Sequence, residues 1–246
     1  LGNNLQNRAA VWQDIASSLS LISSEHELID GVMVIKNKHA SSRFKGLIEL
    51  EYHFNKMGEV TVNHAFKPST GQTLAKMPKL GMQMVMPEGF EYITWFGRGP
   101  HESYWDRKTS AFVGLFKQQV KDGIHHYARP QENGNKTDVR WASIINKAGK
   151  GLKIKGQSLL NMSYWPYLQS DIDFVRGKDG SESASGLVPV TTKHGADVPM
   201  RKLTTVNIDH LQMGVGGDTS WGRLVHPQYT IDATSRSYRF TMIPVN

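Results

Sequence analysis

Hydrophobic and polar positions alternate along residues 48–54. Ile48, Leu50, Tyr52 and Phe54 fall on one side, and Glu49, Glu51 and His53 on the other. A period of two with one wet side is that of a half-buried antiparallel strand. Residues 55–58, Asn-Lys-Met-Gly, read as a turn, and Val60, Val62 and Phe66 resume the alternation. The two runs predict a hairpin. Further strands are predicted at 32–36, 92–96, 139–145, 152–155, 159–163, 204–211 and 238–243, most of them separated by Gly, Pro, Asn or Asp clusters. Many short strands at this spacing predict an all-β sandwich or barrel. Residues 106–122 are ambiguous, because Phe112, Val113, Leu115, Phe116 and Val120 also fit the stripe of a helix. Residues 180–186, Gly-Ser-Glu-Ser-Ala-Ser-Gly, read as a polar surface loop. No internal repeat or domain boundary is legible.

Composition narrows this picture. The chain has 246 residues, which suits one large domain or two small ones, and 39% apolar with 21% charged residues, as in a globular protein. There is no cysteine, which excludes disulfides, thiolate metal sites and a Cys nucleophile. The 29 Lys and Arg against 22 Asp and Glu give a net charge of +7. The basic residues are scattered singly (Lys36, Lys45, Lys56, Lys67, Lys76) rather than gathered on one stripe, which reads as a solvated surface and not a nucleic-acid footprint. No run of about 18 apolar residues predicts a membrane span. The first residues contain no apolar signal-peptide core and no initiating Met, so the chain reads as cut from a longer one, and its compartment stays open.

Motifs for nucleophilic, phosphate or zinc chemistry (G-x-S-x-G, the P-loop, H-E-x-x-H) do not occur. His125 and His126 are neighbours, which in a strand would point to opposite faces. Carboxylate pairs, the minimum for most glycoside hydrolysis, are offered by Glu102 with Asp106, Glu132 with Asp138, and Asp171 with Asp173. The last pair would share a strand face. Each pair has Arg or Lys nearby (Arg107, Lys108, Lys136, Arg140, Arg176), so ion pairs and turn caps are the simpler reading.

Segments rich in aromatic residues and glycine stand out at 95–111, 128–141 and 212–222. In the last, Gly214, Gly216 and Gly217 permit a sharp turn, Asp218 and Ser220 bond local amides, and Trp221 stands on the resulting loop beside Gly222. An indole held this way stacks on the C–H face of a sugar; alternatively, it plugs the end of a sandwich.

These segments resemble the C-terminal, small-chain domain of glycoside hydrolase family 2 β-galactosidases. The family pattern G-x-G-P-x-E-S/N-Y-x-D-R is matched at 97–107, R-P-Q-E-N-G-N-x-x-D-V-R-W at 129–141, and Q-M-G-V-G-G-D-x-S-W-G at 212–222. The opening Leu1-Gly2-Asn3-Asn4 is similar to the start of that domain, and the likeness is sharpest from about residue 78 onward. Lys136, where relatives often carry Arg, and Trp105 depart from the pattern. The resemblance implies a large antiparallel β-sandwich (supersandwich), galactose mutarotase-like, occupying residues 1–246 as a single domain, with 106–122 as strand and loop. It implies hydrolysis of terminal β-D-galactosides such as lactose by the parent enzyme. The two catalytic Glu, and the Mg and Na of the family, would lie on a (β/α)8 barrel outside this chain. This domain would then hold no catalytic residue, metal or cofactor and would be inactive alone. Its contribution would be Trp221 on the aglycone side of the site, with Gly216, Gly217, Asp218 and Ser220 supporting the loop. Segments 97–107 and 129–141 would be scaffolding built on buried ion pairs and an Asn133-Gly134 turn. The implied partners are the N-terminal catalytic portion of the same enzyme and the galactoside, with the parent itself an oligomer. The alternatives on the same fold are a free-standing carbohydrate-binding module and a mutarotase-like aldose epimerase.

Overall fold

A computed structural model describes residues 4–176, 187–216 and 224–246. Antiparallel strands dominate them, with a four-residue helix, Leu5–Arg8, and short 3-10 turns between. The strands are β1 (Leu19–Ile29), β2 (Val32–Ser41), β3 (Gly46–Phe54), β4 (Val60–Pro68), β5 (Lys79–Pro87), β6 (Tyr92–Gly99), β7 (Phe112–Gln119), β8 (Lys136–Ile145), β9 (Gly151–Trp165), β10 (Phe174–Arg176), β11 (Leu187–Pro189), β12 (Leu203–Gln212) and β13 (Arg236–Val245). The main sheet runs β1-β2-β3-β4-β13-β9-β8-β6-β7, with β12 on β9 and β5 on β12. The all-β class is as expected.

Strand β9 organises the sheet. Residues 151–156 pair with β13, and residues 161–165 pair with β12, while β8 follows along its other edge. A strand that changes partners halfway turns the sheet back on itself, as at the corner of a sandwich. The inward positions of the two arms therefore meet. Val62, Trp95, Ile144, Ile154, Val206, Ile208 and Phe240 form one buried cluster. A second cluster gathers Phe44, Ile48, Phe66, Met77, Leu80 and Ile231 under Trp12 and Trp105.

The predicted hairpin is β3–β4, with Phe54 opposite Val60. The two runs predicted at 152–155 and 159–163 are one strand, β9. Residues 106–122 resolve into a turn, β7 and a 3-10 turn. Their helical spacing has a physical source: β7 is an edge strand. Its inward Phe116 packs 5.3 Å from Trp95, while Phe112 and Leu115 remain exposed, so both faces carry apolar residues.

Candidate functional site

The segments singled out by sequence lie together. Tyr104 and Arg107 close a tight turn through reciprocal backbone bonds of 3.0 and 2.8 Å. Ahead of that turn, Glu102 accepts from Arg107 Nη2 at 2.6 Å, from the Tyr127 hydroxyl, and from the Gly134 amide at 2.8 Å. Ser103 and Thr137 share a buried hydroxyl bond of 2.9 Å, and Asn135 Nδ2 donates to the Ser103 carbonyl. Asp138 accepts from Arg98 Nε at 2.5 Å and from Lys108 Nζ at 3.0 Å. Burial opposes its ionisation, but these two cations hold its carboxyl below the usual range. Segments 97–107 and 129–141 are thus one ion-paired scaffold, in which Gly134 adopts φ +73°.

That scaffold supports the root of the third segment. Beyond β12, the Met213 amide donates to the Pro78 carbonyl and the Gly214 amide to the Tyr229 carbonyl, both at 2.9 Å. Val215 and Gly216 then donate to the two oxygens of Asp106 at 3.0 and 2.7 Å. Gly216 adopts φ +76°, and a Cβ on Gly214 would stand 2.5 Å from the Asp106 carboxyl carbon. Both positions therefore require glycine. Of the predicted site residues, Gly216 is placed here. Gly217, Asp218, Ser220 and Trp221 lie outside the described residues, as does loop 180–186.

The carboxylates serve as ion-pair partners and amide caps, the simpler reading of the sequence. Asp106 caps backbone amides instead of facing Glu102. Glu132 faces Lys79, 3.9 Å away, whereas Asp138 is held by Arg98 and Lys108. Asp171 is in a 3-10 turn (Gln169–Ile172), so it shares no strand face with Asp173. Its partner is Arg201, through two bonds of 2.6 Å. Arg201 holds the Asp171 carboxyl below the usual range against the effect of burial. His125 and His126 lie between strands, not within one.

A polar cluster around the buried Asp209 escaped sequence reasoning. Lys79 Nζ lies 3.9 Å from both Glu132 and Asp209 and 5.6 Å from the Trp165 ring centre. Burial raises both carboxyls above their ordinary range, with Lys79 pulling the other way. Asp209 carried a signal: it is an ionisable residue inside the strand predicted at 204–211. Among the described residues, no group of three or more His, Asp or Glu could hold a metal ion, and no helix is long and apolar enough to cross a membrane.

Comparison with known proteins gives this geometry a family. The profile of the β-galactosidase small chain matches residues 2–243. The chain is 34% identical to a β-galactosidase of Priestia megaterium, covering 100% of this chain and 22% of that protein. It is 31% identical to a β-galactosidase of Lactobacillus delbrueckii subsp. bulgaricus, covering 96% of this chain and 22% of that protein. The chain thus spans about a fifth of the length of these relatives. Among solved structures, the GH36 α-galactosidase AgaB from Geobacillus stearothermophilus aligns at TM-score 0.44 and 10% identity, covering 92% of this chain and 27% of that one. A GalM/aldose epimerase homologue from C. elegans aligns at TM-score 0.39 and 9% identity, covering 90% of this chain and 68% of that one. With the family profile matched over nearly its whole length, the chain belongs to the β-galactosidase small-chain family.

Proposed function

We propose that residues 1–246 form a single accessory domain of a glycoside hydrolase family 2 β-galactosidase. The observation that carries this reading is the span of the match: all of this chain against 22% of a β-galactosidase. The remaining portion of the parent supplies the barrel, the two catalytic Glu and any Mg or Na. The parent hydrolyses terminal β-D-galactosides, lactose among them, with retention through a covalent galactosyl-enzyme, and it works as an oligomer. The carboxylates described above fit this division. Glu102, Asp106, Asp138 and Asp171 are each committed to Arg, Lys or backbone donors.

This domain's own contribution is Trp221, whose indole stacks on the aglycone sugar, with Gly217, Asp218 and Ser220 shaping its loop beyond Gly216. In the full-length enzyme, Trp221→Ala is expected to raise KM for lactose about three- to tenfold, the scale of one lost aromatic contact. Inhibition by free galactose, which fills the other side of the site, should stay as it was. Steady-state kinetics read both, and an unchanged KM for lactose contradicts the role given to Trp221.

A further inference from the structure

Strand β12 buries both of its sides, and one of them is polar. Val206 and Ile208 enter the main core, while Thr205, Asn207 and Asp209 alternate with them and are just as buried. Thr205 donates to the Tyr167 carbonyl at 2.7 Å. Asn207 Oδ1 accepts from Gln83 Nε2 at 2.8 Å, and its Nδ2 donates to Ser163 Oγ at 2.8 Å. Asp209 is not completed in this way. Its side chain is 3% exposed, yet its Oδ2 receives no hydrogen bond. It fits only because the residue opposite it in β5 is Gly81, where a Cβ would collide with its carboxylate. A buried carboxyl in this position is costly unless a partner completes it.

The groups around Asp209 share the deficit. Glu132 Oε1 and Gln212 Oε1 are buried acceptors without a hydrogen bond. Gln212 stands opposite Lys79 in the β5–β12 register, and its side chain favours the charged form of Glu132. Lys79 Nζ lies 3.9 Å from Glu132 Oε2 and from Asp209 Oδ2, too far to donate to either, and makes a long bond of 3.5 Å to Asn207 Oδ1. Unused donors and unused acceptors therefore face one another. The fully buried Trp165 ring backs the ammonium, while the Lys79 and Glu132 side chains, 30% and 25% exposed, reach the surface. A metal ion here would meet the ammonium, and an anion would meet two carboxyls. A hydroxyl donates to a carboxylate and accepts from an ammonium at one oxygen, so neighbouring hydroxyls of one molecule complete the whole set.

We propose that Lys79, Glu132, Asp209 and Gln212 form a binding site for a neutral polyhydroxylated ligand, a sugar or polyol. The inference goes beyond the accessory role and involves no residue of the Trp221 loop.

The test is ligand-detected NMR titration of the full-length enzyme with methyl α-glucoside and with sorbitol, a ring and an open-chain probe. At least one should bind saturably. Asp209→Asn and Glu132→Gln keep side-chain size and remove a charged acceptor, so each should weaken that binding about tenfold or more. Thermal unfolding of the variants reports that they are folded. If Asp209→Asn fails to fold, Glu132→Gln at the exposed rim carries the test together with Lys79→Met, which removes the donor. Absence of binding by both probes to the wild type overturns the proposal, since water alone then completes the cluster. Equal affinity in wild type and variants overturns it as well, because the probe then sits elsewhere. Failure of the accessory role would appear in the activity of mixed portions and not in these titrations.

Discussion

Replacing Glu102 by alanine is expected to destabilise the fold by about 2–4 kcal/mol. Its side chain is only 10% exposed and joins three groups from two segments. The bond to Arg107 counts least, because that guanidinium is half in water and exposed pairs contribute about 0–1 kcal/mol. The larger loss is at Gly134. Its buried amide donates to Glu102, and without that acceptor it bears a desolvation cost of about 1–3 kcal/mol. Tyr127 loses its acceptor as well. Glu102→Gln keeps an oxygen for Gly134 and should lose roughly half as much. Denaturant unfolding of the two variants beside the wild type checks both numbers. A loss below about 0.5 kcal/mol for the alanine variant would make the contacts decorative.

Lys136 makes the opposite prediction. It opens β8 with 1% of its surface exposed, its Nζ 5.3 Å from the centre of the Trp95 ring. Among the described residues no carboxylate lies within 4.0 Å of it. Burial pushes its ammonium down from 10.5 to about 8, with Glu102 opposing the shift. That drop corresponds to roughly 3 kcal/mol against the charged form. The sign follows from proton binding. Between pH 8 and 10.5 the unfolded chain keeps the proton and the folded chain releases it, so wild-type stability rises with pH across that window. Lys136→Met fills a similar volume without charge. It should stabilise the fold at pH 7 by about 1–3 kcal/mol, allowing for the lost ring contact, and should flatten the rise between pH 8 and 10.5. Urea midpoints across that pH range report the result. A less stable methionine variant would mean that the ammonium is held favourably.

What the sequence revealed of this fold tracks how each strand is wetted. Strands β4 and β6 have one buried side, so their alternation is plain, and β3 alternates apolar with charged residues along its length. Most of β1 is exposed on both faces and its register shifts near Leu21, so no alternation marks it. Strand β5 does alternate, through Leu80, Met82, Met84 and Met86, but it holds a single β-branched residue, Val85, and no aromatic one, so it lacks the strand-forming composition of its neighbours. The edge strand β7 imitated a helix because both its faces carry apolar residues.

The site was legible to a different degree. The glycines and aromatics of 97–107, 129–141 and 212–216 do lie in one place, and the ion-pair scaffold is there. The individual partners were not legible. Asp106 reaches amides more than a hundred residues away, and Lys79 meets Glu132 and Asp209 from two other segments. Such contacts are made by the sheet's topology, which local spacing does not encode.

The most direct measurement is hydrolysis of nitrophenyl β-galactoside by this chain alone, by the remaining portion of the parent alone, and by the two mixed. The proposed accessory role predicts activity that appears or rises strongly only on mixing. Turnover by this chain alone would contradict an accessory role, and would return Glu102, Asp106, Glu132 and Asp138 to the list of catalytic candidates.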